Sequence, residues 1–241
     1  MIYPNAFVLH RYAYSENSLL LKILAPESSL IPVMAKGVKG GGARSGKSKR
    51  GAVAGLCEPF SLLSLECIGS GEVKTLKNLD LINISQRLTG DILICGLYLN
   101  ELLLNLLGPA PCSQVLFDIY KITLIKLSEG IIEPALRFFE KTLLEEIGHG
   151  PNFSCDYLGQ EIIPESLYKI SPGEEARKIE KIENNLGSNI FEGKVLLAIG
   201  QNNFENKAEA KQAKFLLRQW LDFYMHGKVL KTRTMMMDMA R

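Results

Sequence analysis

The apolar residues of this chain change their period near residue 85, and that switch constrains the fold more than any other feature. Before it, the runs AFVLHRY, SLLLKIL, LIPVMAK, FSLLSLEC and EVKTLKN are separated by turn residues: Ser15-Glu16-Asn17, Pro26 to Ser29, a glycine-rich stretch, and Gly69-Ser70-Gly71. Short β-compatible runs between such breakers read as strands, and five of them in succession predict a small antiparallel barrel or sandwich. After it, Asp91 to Leu107, Val115 to Ser128 and Ala135 to Ile147 repeat apolar residues at helical spacing, with Pro134 fitting a helix start and Gly148 a helix stop. Between 150 and 205 lie Pro151, Pro164, Pro172 and Gly173, then a charged helical stretch EEARKIEKIENN, then the short apolar run KVLLAI. A last helix is expected from Lys207 to Met225, stopped at Gly227. The predicted organisation is α+β and multidomain: a barrel over 1–80, a helical domain over 81–150 and 205–241, and a small irregular module over 151–204.

With 241 residues and 46% hydrophobic side chains, the chain can bury a real core. The net charge of +2 hides an uneven distribution. Residues 1–80 hold ten Lys and Arg against six Asp and Glu, a net +4; residues 81–206 hold ten against seventeen, −7; residues 207–241 hold eight against three, +5. Basic ends around an acidic middle suggest a polyanionic partner touched from two sequence regions. The five cysteines include no C-x-x-C pair, which argues against a disulfide framework or a cysteine zinc site and fits reduced thiols of a cytoplasmic protein. The N-terminus lacks an apolar run behind a charged start and does not read as a signal peptide. The most apolar window, Ile92 to Leu107, is interrupted by Asn100, Glu101 and Asn105 and is too short to span a bilayer.

GGGARSGKSK, residues 40–49, satisfies the phosphate-loop expression through Gly41, Gly46, Lys47 and Ser48. Walker chemistry needs a helix that starts at the Lys-Ser, yet KRGAVAGLCEPF carries Gly51, Gly55 and Pro59 and reads as a poor helix. The surroundings read as all-β rather than βαβ. A second reading accounts for more residues: Lys36, Lys39, Arg44, Lys47, Lys49 and Arg50 form a purely cationic stretch, with no acid between Glu27 and Glu58. Such a loop suits phosphate backbones, which attract charge without demanding geometry. A solvated loop with no partner has the same composition.

The last helix adds a second basic signal. Lys207, Lys211, Lys214 and Arg218 fall on one stripe, beside an apolar face of Ala210, Ala213, Leu217, Trp220, Leu221 and Tyr224. Lys228, Lys231 and Arg233 follow it, and Arg11, Lys74 and Lys77 add cations to the strand region. A solvated helix face carries the same stripe, but two basic regions in one chain favour nucleic acid. His10, His149 and His226 lack metal-ligand spacing, and neither G-x-S-x-G nor H-E-x-x-H occurs. The chain is therefore expected to bind rather than to catalyse, without cofactor or metal.

AFVLHRYAYSENSLLLKILAPESSLIPVMAKGVKG and LCEPFSLLSLECIGSGEVKTLKN resemble the N-terminal domain of the RecO recombination mediators. GLYLNELLLNLL, LFDIY, PALRFFEKTLLEEIGHGPNFSC and HGKVLKTR continue the resemblance in the family's order, from about residue 6 to 234 and most weakly over 156–206. It implies an OB-fold, a helical domain, and a small module that in many members binds zinc through four cysteines. Only Cys155 lies in that region here, so a zinc-free module is expected. The resemblance implies binding of single- and double-stranded DNA, annealing of complementary strands, and engagement of the acidic C-terminal tail of single-stranded DNA-binding protein (SSB). It also implies work with RecR to load RecA onto coated strands. Tyr12, Tyr14 and Phe60 are candidate stacking platforms or core residues. Arg137 and Lys141 share a helix face with Phe138 beside them, and Arg137 matches the family's basic residue in that motif, which suggests the tail site. A helix-surface salt bridge of Arg137 with Glu133 or Glu140 is the other reading. A phosphate-loop protein acting through Gly41 to Ser48 and a pure protein–protein adaptor remain as alternatives.

Overall fold

The structure, a computed structural model, describes residues 1–38, 49–83, 88–180 and 189–239. Five strands appear where the short runs predict them: β1 (Ile2–Ser15), β2 (Ser18–Leu24), β3 (Ile31–Ala35), β4 (Leu62–Ile68) and β5 (Lys74–Asn83). They close into a barrel of order β1-β2-β3-β5-β4, with β4 pairing back onto β1. All pairings are antiparallel except β3 with β5, which run parallel through Val33↔Lys74 and Met34↔Thr75. This is the architecture of an OB-fold.

Side-chain alternation explains the unbroken AFVL of β1. Ala6 and Val8 join the barrel core with Leu21, Ile23, Val33, Leu63 and Leu65. Phe7 and Leu9 are buried as well, because α2 (Gly90–Leu106) and α3 (Gln114–Ser128) lie near the strand. Phe7 meets Phe117 and Tyr120 at ring separations of 5.3 and 5.0 Å. Each such fully buried large side chain contributes about 2 kcal/mol of transfer free energy.

One sequence expectation fails here. KRGAVAGL is not a poor helix but α1 (Lys49–Leu56), between β3 and β4. Val53, Ala54 and Leu56 pack on the barrel core, and that burial outweighs the cost of the two glycines.

The chain divides into two compact units, Met1–Ser128 and Glu129–Arg241. The second contains α4 (Glu133–Glu146), β6 (Leu167–Lys169), β7 (Arg177–Ile179), β8 (Ile190–Glu192), α5 (Gly193–Gly200), α6 (Lys207–Tyr224) and α7 (Lys231–Met239). Pro134 lies in the first turn of α4, and Gly148, just after it, has φ +76°. The stretch EEARKIEKIENN does not form the expected helix over its described part: Arg177 to Ile179 is an edge strand paired with β6, and 181–188 lie outside the described residues. The sheet β7-β6-β8 gives the small module its core, through Tyr168, Ile170 and Phe191 with Val195, Leu196 and Ile199 of α5.

That module is tied together by hydrogen bonds and close packing. Asp156, buried, accepts from Leu158 N at 2.9 Å and Gln160 N at 3.0 Å and so shapes the turn after Cys155. The Tyr168 hydroxyl accepts from Ile163 N at 2.9 Å. Among the described residues no three His, Cys, Asp or Glu are grouped to hold a metal ion, and no helix is long and apolar enough to cross a membrane.

Candidate nucleic-acid interface

On the barrel, Lys36 and Lys77 line one groove of about 190 Å³, together with Gly37, Val38, Val53 of α1 and Leu76 to Leu79 of β5. Both lysines are exposed, and Lys77 also bridges Glu66 at 2.6 Å. Val38, which lines this groove, is the last described residue before the cationic segment, and α1 begins at Lys49. Lys39, Arg44 and Lys47, and the whole of Gly41 to Ser48, lie outside the described residues. Lys49 and Arg50 begin α1, but their side chains are not described. Lys74 donates to Gly71 O at 2.7 Å, and Arg11 pairs with Glu58 at 2.7 Å. Exposed contacts of this kind contribute little to stability.

The aromatic candidates separate. Tyr12 and Tyr14 are exposed on β1, where the Tyr12 ring lies 4.2 Å from that of His10. Phe60 is not a surface platform: it is buried and packs against Gly96 of α2, where an added Cβ would lie 3.0 Å from its ring. The adjacent thiol of Cys57 is pushed up to about 11, mainly by burial and in part by the Glu58 carboxylate, which together outweigh the opposing pull of Arg11.

In the second unit the basic stripe of α6 splits. Lys207 and Lys211 are exposed, whereas Lys214 and Arg218 are half-buried. Lys214 bridges Glu133 of α4 at 2.6 Å. Burial pushes the Glu133 carboxyl up, but the Lys214 hydrogen bond and the charges of Arg137, Lys214 and Arg218 outweigh it and hold the group below its usual range. Past the helix, Lys228 and Lys231 are exposed, and Arg233 pairs with Asp222.

The residues expected to meet an acidic tail are not the open helix face that their spacing suggests. Arg137 is 1% exposed and pairs with Glu140 of its own helix at 2.8 Å. A guanidinium on a lone surface helix would project outward, but here α6 packs against α4. Phe138 is half-buried. Lys141 pairs with Glu145 at 2.8 Å and lines a cleft of about 420 Å³ with Pro151, Phe153 and Leu197. The spacing of Glu133, Arg137 and Lys141 along α4 is visible in the sequence. The Lys214–Glu133 bridge spans 81 residues, and no local signal announces it.

The fold is that of a closed OB-type barrel followed by a largely helical region, with exposed cations on both. Residues 1–85 match the family model described as recombination protein O N terminal, and residues 87–234 match that described as recombination protein O C terminal. The "DNA repair protein RecO" of Coxiella burnetii (strain RSA 331 / Henzerling II) is 35% identical over 232 residues, 96% of both chains. The protein of the same description from Vibrio cholerae serotype O1 (strain ATCC 39541 / Classical Ogawa 395 / O395) is 36% identical, over 94% of this chain and 90% of its own. The one from Psychromonas ingrahamii (strain DSM 17664 / CCUG 51855 / 37) is 34% identical over 96% of both. The chain belongs to the RecO family of DNA repair proteins.

Proposed function

We propose that this protein is a recombination mediator that binds single- and double-stranded DNA, anneals complementary strands and does no bond-making chemistry. It acts in the cytoplasm on SSB-coated single strands, engages the acidic SSB tail through its helical unit, and with RecR helps to load RecA. The observation that carries the reading is the barrel groove, which Lys36 and Lys77 both line, next in sequence to a segment rich in Lys and Arg. Annealing requires two polyanions to approach, and surface cations lower their repulsion by displacing counterions. Exposed Tyr12 and Tyr14 offer faces on which bases stack at about 1–3 kcal/mol each.

The test is annealing of complementary oligonucleotides, bare and SSB-coated, without nucleotide. Wild type is compared with a protein neutralised at Lys36, Lys39, Arg44, Lys47, Lys49 and Arg50. The expected result is annealing by wild type and a rate at least about tenfold lower for the variant. Nucleotide turnover that disappears in Lys47→Ala would replace this reading with the phosphate-loop one. Equal, DNA-independent behaviour of both proteins would favour the adaptor.

A further inference from the structure

The α4–α6 seam holds three cations and two carboxylates. Glu133 and Arg137 are one turn apart on α4, and Lys214 and Arg218 are one turn apart on α6. Glu140 is committed to Arg137 at 2.8 Å, with both side chains buried. Glu133 differs: its side chain is 51% exposed, and it takes the Lys214 ammonium at 2.6 Å. The seam carries one more cation than it has carboxylates. Nε and Nη1 of Arg137 and Nε of Arg218 are buried and have no hydrogen-bond partner among the described residues. Buried guanidinium donors without acceptors are costly, so a site built this way favours a further carboxylate.

Lys214 and Arg218 also lie on the basic stripe of α6, where DNA is their expected ligand. Their setting differs from that of Lys207 and Lys211, which face solvent. A half-buried Lys214 that already bridges a carboxylate, with the Arg218 charge acting on the same carboxylate, matches a discrete carboxylate on a peptide better than a phosphate backbone.

We propose that Lys214 and Arg218 belong, with Arg137, to the site for an acidic peptide rather than to the DNA surface, and that Glu133 is an internal carboxylate occupying this site until the peptide displaces it. The proposal rests on the acidic-tail reading given above and adds to it the α6 residues and the competitor. An incoming aspartate side chain or terminal carboxylate exchanges with Glu133 at Lys214, one ion pair for another. Affinity is thereby held down by the pair that must be broken. The lowered Glu133 carboxyl has the sign expected of a charged group held among cations.

The probe is a fluorescein-labelled run of aspartates ending in phenylalanine with a free carboxylate, titrated by anisotropy against the full chain. An asparagine version serves as control, and an oligonucleotide is titrated in parallel. Glu133→Gln removes the competing charge with little change of shape and is expected to tighten peptide binding by about three- to tenfold. Lys214→Ala is expected to weaken the peptide more than the oligonucleotide, and Lys211→Ala the oligonucleotide more than the peptide. If wild type binds the peptide and Glu133→Gln binds no tighter while unfolding at the same temperature, the internal competitor is excluded and the tail reading stands. If neither wild type nor Glu133→Gln binds the peptide, both fail. If Lys214→Ala loses DNA and keeps the peptide, Lys214 returns to the DNA surface and the proposal is overturned.

Discussion

Asn100 shows how one side chain can join two parts of a unit. It sits on α2, is 2% exposed, donates through Nδ2 to Leu9 O at 2.8 Å, and accepts through Oδ1 from the Tyr120 hydroxyl at 2.6 Å. A polar residue inside an apolar helix thus satisfies a strand carbonyl of the barrel and a phenol of α3. Burial raises the Tyr120 phenol well above its ordinary value despite the opposing Asn100 bond, so it stays a neutral donor. Tyr120→Phe removes this partner of a buried amide oxygen and should cost about 1–3 kcal/mol. The urea midpoint should fall with the slope unchanged. Gly193 is set by sterics instead: a Cβ there would lie 2.0 Å from Ile163 O, and its own N–H donates to Ser166 O at 2.8 Å. Gly193→Ala should push α5 off the small sheet and cost about 3 kcal/mol, read as a lower Tm and as lost amide protection over 163–200.

At the scale of elements, legibility followed locality. The start of α6 was expected at Lys207, and the helix begins there, capped by Asn206. In the structure the Asn206 side chain accepts from Ala208 N and Glu209 N, and its amide reaches Glu209 at 3.2 Å. Asn206→Ala should therefore lower stability by about 1 kcal/mol, visible in denaturant melts. The apolar face of α6 was largely readable: Ala213, Leu217, Trp220 and Leu221 are buried, and Ala210 and Tyr224 are half-buried. Two elements misled. The glycines of α1 advertise a loop, but three apolar side chains on the barrel core outweigh them. The charged stretch after Pro172 advertises a helix, but Arg177 to Ile179 pairs with β6, where main-chain bonds to a neighbouring strand decide the conformation. A helix over Lys231–Met239 was not anticipated, because KTRTMMMDM has neither cap nor clear stripe.

For the whole molecule, charge is the property that carries to solution behaviour. If the exposed lysines of the barrel and of α6 each contact phosphate, the logarithm of DNA affinity falls linearly with the logarithm of salt. The slope should then shrink by about one for each phosphate-bound cation neutralised, measured by anisotropy across a salt series. A variant with lower affinity but an unaltered slope would mean that its cations do not touch phosphate. The sequence by itself determined the five strands, the change to helices near residue 85, the basic ends and the family motifs. Each of these is written in local spacing or composition. Only tertiary structure decided that Arg137 is buried, that Lys214 holds a carboxylate, that Phe60 is core and that KRGAVAGL is helical. All four depend on partners far away along the chain, such as Glu133 for Lys214, and whether a cation meets solvent or a carboxylate is set by the face that another element covers.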